Sequence, residues 1–330
     1  MIRGLLPVRK NVVIYNRLPA PLIQQLSEAF NVTIIDTQGN VDEQFYHALP
    51  HAHGLIGASK TLGRNELQSA ENIEVISSVS VGYDSYDVPY LSERGILLTN
   101  TPDVLTQTTA DLGFALLMST ARRLPELDAY TKSGQWAKGI GEEHFGTDVY
   151  GKTLGIVGMG RIGAAIAKRG HFGFDMQILY HATSRKPGLE NELQAEYRDL
   201  EALLQESDFV CLVVPLSDST LHMIGAQELK LMKPSGILIN IARGPVVDEA
   251  ALIEALSNQQ IRGAGLDVFE HEPLSSSPLF SLRNVVTLPH IGSATHETRY
   301  AMAERAVSNL TAALNGSRPR DLVNPEAWKD

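Results

Sequence analysis

The hydrophobic positions of this chain fall into short β-rich runs that alternate with stretches of helical spacing. The first series has predicted strands at residues 12–15, 32–35, 55–56, 73–79 and 96–98, with an amphipathic segment at 21–30 between the first two. The second series has predicted strands at residues 153–157, 178–180, 210–214, 237–241, 265–268 and 285–288. Strands that alternate with helices are typical of parallel sheets, so the pattern predicts an α/β protein with two similar halves.

The segment between the two series differs from both. A helix predicted at 104–121 leads into a glycine-rich stretch at 134–141 and then Gly146, which is too long for a simple crossover. This stretch is either an arm that reaches a partner subunit or an ordered surface loop. A last helix, predicted at 295–314, precedes Gly316 and Pro319, and we expect it to pack back on the first domain.

Length and charge narrow the class of protein. The 330 residues are enough for two domains, and 43% hydrophobic residues with 20% charged residues indicate a folded globular chain. The formal net charge of −10, from 28 Lys and Arg against 38 Asp and Glu, opposes binding to phosphate backbones and to anionic lipid. We therefore expect neither a nucleic-acid partner nor a membrane partner.

The single cysteine and the N-terminus indicate a cytoplasmic protein. Cys211 lies inside an apolar run and cannot form an internal disulfide, which fits a reducing compartment. Residues 1–10 mix charges with few apolar residues and lack the apolar stretch of a signal peptide. His51 and His53 have no third ligand nearby in the sequence, so we expect no metal site.

A glycine-rich turn follows the first strand of the second series. Gly158, Gly160 and Gly163 come directly after the strand at 153–157, and a helical stretch begins just beyond them. Such glycines allow a tight turn, close approach of a pyrophosphate and close packing of the helix on the strand. Because strand, turn, helix and next strand occur in the required order, this motif predicts a dinucleotide site.

The residues after the next strand bear on the choice of cofactor. Where the dinucleotide fingerprint expects an acid for the ribose of NAD, the chain has a polar and basic stretch, and no carboxylate occurs before Glu190. Such side chains can bind a 2′-phosphate, so we expect NADP(H) to be preferred, with NAD(H) as the alternative. The predicted contacts are His181, Thr183, Ser184 and Arg185.

Ionisable residues follow three later strands of the second series. Arg243 comes after the strand at 237–241, Glu272 after the strand at 265–268, and His290 after the strand at 285–288. Ligands of parallel sheets bind at the carboxyl ends of strands, so these side chains are expected to converge on the nicotinamide.

Several motifs together resemble the D-2-hydroxyacid dehydrogenase family. They are SVGYD at 80–84, GIVGMGRIG at 155–163, IARGPVVDE at 241–249, LDVFE at 266–270 and PHIGSAT at 289–295, and they extend over nearly the whole chain. The stretches at 145–149, 171–174, 204–211 and 290–300 are most similar to the branch that holds bacterial 2-ketoaldonate reductases and glyoxylate/hydroxypyruvate reductase B.

The resemblance implies two flavodoxin- or Rossmann-like lobes with parallel sheets and an active site in the cleft between them. Residues 1–104 and 297–330 would form the outer, substrate-binding domain. Residues 105–296 would form the dinucleotide-binding domain, with a dimerisation arm near 122–150. A homodimer is therefore expected.

The resemblance also implies roles for individual residues. His290 corresponds to the acid/base, Glu272 to its paired carboxylate and Arg243 to the substrate-orienting arginine, while the N–H groups of Val81 and Gly82 correspond to donors for the substrate carboxylate. Asp267 corresponds to a residue that contacts the nicotinamide amide. The other implied cofactor contacts are Arg161, Ile162, Pro215, Thr220 and Ile241.

These features predict an NADPH-preferring reductase that converts 2-oxo acids to D-2-hydroxy acids. The expected substrates are 2-ketogluconate and other 2-ketoaldonates, with activity on glyoxylate and hydroxypyruvate. Alternatives are a 2-keto-6-phosphogluconate reductase, another D-2-hydroxyacid dehydrogenase, or a dinucleotide-sensing interaction module without turnover.

Overall fold

The computed structural model describes residues 9–329. The chain divides into two compact units: the first runs up to Leu105 and resumes at Thr295, and the second comprises Thr106–Ala294. The boundaries expected from the sequence lie after residues 104 and 296. Residues 1–8, which carry most of the argument against a signal peptide, lie outside the described residues.

Twelve short strands occur in the described part of the chain. The first unit contains β1 Asn11–Ile14, β2 Asn31–Ile34, β3 Gly54–Gly57, β4 Val75–Ser78 and β5 Leu97–Thr99. The second unit contains β6 Thr153–Val157, β7 Gln177–His181, β8 Glu196–Tyr197, β9 Phe209–Leu212, β10 Ile237–Asn240, β11 Gly263–Leu266 and β12 Val285–Thr287. Of these, the two-residue strand β8 was not predicted from the sequence.

Helices connect the strands in both units. They are α1 Ala20–Ala29, α2 Val41–Ala48, α3 Val88–Arg94, α4 Thr106–Ala121, α5 Leu124–Lys132, α6 Arg161–Phe174, α7 Pro187–Leu193, α8 Leu200–Glu206, α9 Ala226–Leu231, α10 Glu249–Ser257 and α11 His296–Leu314. Helix α11 packs on β3, β4 and α1, so the prediction that the last helix returns to the first domain is confirmed.

Each unit is built on one fully parallel sheet. The first sheet has the order β2-β1-β3-β4-β5, and the second has the order β12-β11-β10-β9-β6-β7-β8. In both, the strand order reverses beside the first strand of the unit, which is the doubly wound arrangement. The predicted α/β fold with two parallel-sheet lobes is confirmed.

The central strands are apolar because helices cover both of their faces. Strands β3, β9, β10 and β11 are buried at every position, as expected for inner strands of a parallel sheet. Within the second unit, one apolar cluster lies between the sheet and helices α4 and α6, and another lies under α8, α9 and α10. The carboxyl ends of the strands, where the chain leaves these cores, carry the polar residues discussed below.

No helix within residues 9–329 combines the length and the apolar character needed to span a membrane.

Candidate functional site

The turn between β6 and α6 has the shape of a pyrophosphate cradle. Gly158 has a φ of +105°, and a β-carbon there would lie 2.6 Å from the carbonyl oxygen of Val213. A β-carbon on Gly163 would lie 2.2 Å from the carbonyl oxygen of Gly158, so only glycine lets α6 pack this closely. Gly160 faces open space, with no described atom within 4 Å of such a carbon. The three glycines therefore fill the three roles of the dinucleotide fingerprint.

The N-terminus of α6 adds an electrostatic reason for an anion to bind there. Gly160 is the N-cap, and no side chain among the described residues caps this helix end. The first N–H groups of a helix lack intrahelical partners and carry partial positive charge, which favours a phosphate. The predicted contacts Arg161 and Ile162 lie in this first turn. These features fit a dinucleotide.

The end of β7 carries the predicted 2′-phosphate contacts, and the structure adds a carboxylate to them. Arg185 forms a two-point ion pair with Glu190, at 2.7 Å from Nε to Oε1 and 2.8 Å from the guanidinium to Oε2. The Tyr180 hydroxyl also donates to Glu190 and accepts the backbone N–H of Lys186 at 2.7 Å. Hydrogen bonds from Arg185 and Tyr180 lower the pKa of Glu190 to about 2, so Glu190 stays ionised and holds Arg185 in one orientation.

The other predicted 2′-phosphate contacts lie at the end of β7 or in the turn that follows it. The Nδ1 atom of His181 is 3.1 Å from the carbonyl oxygen of Arg198, and Lys186 Nζ donates to the Ser184 hydroxyl at 3.1 Å. Thr183 belongs to the same turn after β7.

Two further predicted cofactor contacts form one small turn after β9. The Thr220 hydroxyl donates to the carbonyl of Pro215 at 2.7 Å and accepts the N–H of Ser217 at 2.8 Å. The remaining contact, Ile241, follows β10 directly and is almost fully buried.

His290 and Glu272 form an imidazole–carboxylate pair at the carboxyl edge of the second sheet. His290 Nδ1 is 2.6 Å from Glu272 Oε2, and the other carboxylate oxygen accepts the N–H of Phe269 at 2.9 Å. Burial alone would raise the pKa of Glu272, but the bonds from His290 and Phe269 bring that pKa below its ordinary value. The carboxylate is therefore charged at neutral pH and stabilises a protonated imidazole.

The backbone around His290 is held in place by Asp267. His290 has a φ of +52°, in the left-handed region that few non-glycine residues adopt. The Asp267 carboxylate accepts the N–H of Ile291 at 2.7 Å and of Gly292 at 2.9 Å. Burial raises the pKa of Asp267 despite these bonds. Asp267, expected from the resemblance to contact the nicotinamide amide, therefore also fixes the turn that carries His290.

Arg243 lies just after β10, the strand next to the one that precedes Glu272. Its positive charge contributes to the lowered pKa of Glu272. Its backbone carbonyl accepts the side-chain amide of Asn240 at 3.1 Å. The structure thus brings Arg243, Glu272, His290 and Asp267 to one edge of the second sheet, as the strand-end argument predicted.

Val81 and Gly82 belong to the first unit and follow the carboxyl end of β4. The side-chain amide of Asn100, which follows β5, donates to the carbonyl of Val81 at 2.8 Å. Sequence reasoning missed Asn100, although its position after the neighbouring strand is the same signal that singled out Arg243 and His290.

Comparison with known proteins gives the family. Residues 114–292 match the model of the D-isomer specific 2-hydroxyacid dehydrogenase NAD-binding domain, and the chain is 53% identical to glyoxylate/hydroxypyruvate reductase B of Klebsiella pneumoniae subsp. pneumoniae over 97% of this chain and 99% of that protein. The chain belongs to the D-isomer specific 2-hydroxyacid dehydrogenase family. This dehydrogenase is accordingly an oxidoreductase that acts on CH–OH groups with NAD(P).

Solved structures agree with this assignment. The dehydrogenase is similar to a protein from Thermus thermophilus, with a TM-score of 0.88 and 41% identity over 95% of this chain and 99% of that chain. It is also similar to the NADPH-dependent glyoxylate/hydroxypyruvate reductase of Sinorhizobium meliloti in complex with NADP and malonate, with a TM-score of 0.86 and 34% identity over 97% of this chain and 98% of that chain.

Proposed function

We propose that this dehydrogenase reduces 2-oxo acids to D-2-hydroxy acids, with NADPH preferred over NADH. The observation that carries the proposal is the His290–Glu272 pair, 2.6 Å from Nδ1 to Oε2, at the same strand edge as the glycine turn after β6. An imidazole that is paired with a carboxylate beside a dinucleotide site is the kind of proton donor that carbonyl reduction requires.

The proposed mechanism assigns one task to each polar side chain. Glu272 occupies Nδ1 of His290, so Nε2 is the nitrogen that delivers a proton to the 2-oxo oxygen and relieves its developing negative charge. Arg243 orients the substrate, because its planar guanidinium suits the adjacent carboxylate and carbonyl of a 2-oxo acid. When bound, the reduced nicotinamide supplies the hydride that is added to the 2-oxo carbon.

The substrate carboxylate is assigned to the N–H groups of Val81 and Gly82. Backbone N–H groups bind carboxylates well, and glycine allows an anion to approach closely. Neither N–H has a hydrogen-bond partner within residues 9–329, which supports this role.

Preference for NADPH is assigned to the turn after β7. Arg185 supplies positive charge, and Thr183 and Ser184 supply hydroxyl groups for a 2′-phosphate. The solved relative from S. meliloti, which is named NADPH-dependent and was crystallised with NADP, supports this preference. Glu190 holds Arg185 but also compensates part of its charge, so some use of NADH is expected.

The proposed substrates are glyoxylate, hydroxypyruvate and the 2-ketoaldonates. Among the 2-ketoaldonates, 2-ketogluconate is the first candidate. Relatives from Klebsiella pneumoniae and Escherichia fergusonii, named glyoxylate/hydroxypyruvate reductase B and 53% and 50% identical to this chain, support the two smaller acids. 2-Keto-6-phosphogluconate has the same reacting fragment and remains an alternative substrate.

A substrate panel tests this proposal. Oxidation of NADPH and of NADH is followed with glyoxylate, hydroxypyruvate, 2-ketogluconate and 2-keto-6-phosphogluconate. We expect turnover with at least the two smaller acids and a higher kcat/KM with NADPH. A lower KM for NADH than for NADPH would refute the cofactor preference, and turnover with none of the acids would indicate a dinucleotide-sensing module instead.

We also propose a cytoplasmic homodimer. Large apolar side chains in and just after the glycine-rich stretch are more than half exposed in the single chain, as expected for an arm that packs on a second copy. They are Trp136, Ile140 and Phe145. Burial raises the pKa of Cys211 to about 12, so this thiol is unreactive. An unreactive, unpaired thiol is compatible with the reducing cytoplasm. Light scattering coupled to size-exclusion chromatography would give the mass, and a mass near 36.0 kDa would refute the dimer.

A further inference from the structure

Residues 80–82, in the loop after β4, are each held through the backbone carbonyl oxygen. The Ser80 carbonyl accepts the N–H of Thr101 at 2.8 Å, and the Val81 carbonyl accepts the side-chain amide of Asn100 at 2.8 Å. The Gly82 carbonyl accepts the Ser80 hydroxyl at 2.6 Å. Three consecutive peptide groups are thus held, each through its oxygen.

Anchoring the oxygens determines where the N–H groups point. In a trans peptide the C=O and the following N–H point in opposite directions, and the only cis bond within residues 9–329 is Glu272–Pro273. Fixing the three carbonyls therefore turns the N–H groups of Val81, Gly82 and Tyr83 away from their anchors. None of the three N–H groups donates to another atom in the described part of the chain.

The hydroxyl that holds Gly82 is itself bonded to a second hydroxyl. Ser78 and Ser80 are bonded oxygen to oxygen at 2.7 Å, and Ser78 is fully buried at the end of β4.

Counting protons sets the direction of this pair of bonds. The Gly82 carbonyl can only accept, so the Ser80 hydroxyl donates its single proton to it. Ser78 must then donate to Ser80. The Ser80 hydroxyl therefore makes one hydrogen bond as donor and one as acceptor, which fixes its orientation.

We propose that Ser80 is a positioning residue for the substrate carboxylate, and that the Tyr83 N–H is a third donor beside Val81 and Gly82. Ser80 holds the Gly82 carbonyl, so the N–H of Tyr83, in the same peptide group, points away from Ser80. We place the substrate carboxylate on that side of the loop. A carboxylate has two oxygens with about four acceptor sites, so a third donor adds to the first two. This inference rests on the proposed function, which places the carboxylate at this loop.

The first test removes the Ser80 hydroxyl. For Ser80→Ala we expect the KM for glyoxylate and the inhibition constant of oxalate, a carboxylate that cannot be reduced, to rise together by about tenfold, the effect of one well-placed hydrogen bond. The dissociation constant of NADPH and the melting temperature should stay close to those of the parent protein. Ser80→Thr, which keeps the hydroxyl, should restore most of the affinity.

A matched control separates the loop from serine loss in general. The Ser27 hydroxyl also donates to a backbone carbonyl, that of Ile23 at 2.8 Å, but on α1. Ser27→Ala should leave both the KM and the oxalate constant unchanged. Ser78→Ala removes the hydroxyl that donates to Ser80 while keeping Ser80 itself, and should raise both constants in the same direction by about threefold.

The second test removes the proposed third donor itself. Tyr83→Pro lacks the backbone N–H, whereas Tyr83→Ala loses the same side chain but keeps the N–H. We expect the KM for glyoxylate to be about tenfold higher in the proline variant than in the alanine variant. Equal KM values in the two variants would overturn the role of the Tyr83 N–H.

The outcomes distinguish this inference from the proposed function. If the parent protein reduces glyoxylate and Ser80→Ala leaves KM and the oxalate constant unchanged, or alters only kcat or NADPH binding, the positioning role of Ser80 is wrong. If the parent protein reduces no 2-oxo acid, the proposed function itself has failed. A parallel rise in KM and the oxalate constant, with NADPH binding retained, supports the inference.

Discussion

Replacing Glu272 by glutamine removes the charge beside His290 while keeping the shape of the side chain. The lowered pKa of Glu272 means that this carboxylate is ionised throughout the pH range of an activity assay. Glutamine can still accept a hydrogen bond from Nδ1 of His290, so the imidazole keeps its orientation. What changes is the electrostatic stabilisation of the protonated ring.

The size of this stabilisation follows from the geometry. Two unit charges 4 Å apart attract by about 4 kcal/mol at an effective dielectric constant of about 20, and by about 1 kcal/mol in water. The pair is closer, at 2.6 Å, but the His290 and Glu272 side chains are 48% and 32% exposed, so solvent screens much of the attraction. We take about 1–2 kcal/mol, which corresponds to about 5–30-fold in rate.

The assay is kcat/KM for glyoxylate reduction at a fixed neutral pH. Because the Glu272 carboxylate stabilises positive charge on the imidazole that donates the proton, Glu272→Gln should lower kcat/KM by about 5–30-fold. Glu270, whose carboxylate is 2.8 Å from His222 in a similar exposed pair, provides the control. Glu270→Gln should leave kcat/KM unchanged. An unchanged kcat/KM in Glu272→Gln, or an equal loss in the two variants, would refute the assigned role of the pair.

Four further substitutions test the other parts of the site. His290→Gln should lower kcat by about 10²–10⁴-fold with NADPH binding retained, and near-normal turnover in stopped-flow or steady-state assays would remove His290 from its role. Gly163→Ala places a β-carbon 2.2 Å from a carbonyl oxygen and should lower the free energy of unfolding by about 1–3 kcal/mol. Gly160→Ala should leave the free energy of unfolding unchanged in denaturant titrations and raise the NADPH dissociation constant. The reverse pattern would contradict the assignment of this turn as the pyrophosphate site. Arg185→Ala should raise the KM for NADPH by about 10–100-fold with little change for NADH, and an equal effect on both cofactors would exclude a 2′-phosphate contact.

The fold was predictable because local pattern and topology agree in this chain. An inner strand such as β9 is a continuous apolar run since both of its faces are buried, and the glycines at 158–163 occur where a strand meets a helix. The grouping of Arg243, Glu272 and His290 follows from the rule that parallel strands end at one edge. These features depend on short stretches of sequence or on a general rule.

The features that sequence reasoning missed depend on contacts between distant positions. Glu190 reaches Tyr180 and Arg185 because α7 turns the chain back toward β7, and the stretch after Tyr180 carries no sign of this pairing. Asn100 reaches the Val81 carbonyl because β5 pairs with β4. Asparagine is a common residue, so only the packed sheet shows that this contact forms.

The configuration of the product tests the account most directly. The protein is incubated with NADPH and hydroxypyruvate, the loss of NADPH absorbance is followed, and the glycerate formed is resolved by chiral chromatography. The account predicts one D-glycerate for each NADPH consumed, and no product from His290→Gln on the same timescale. L-glycerate, a racemic mixture, or NADPH oxidation that His290→Gln retains in full would contradict it.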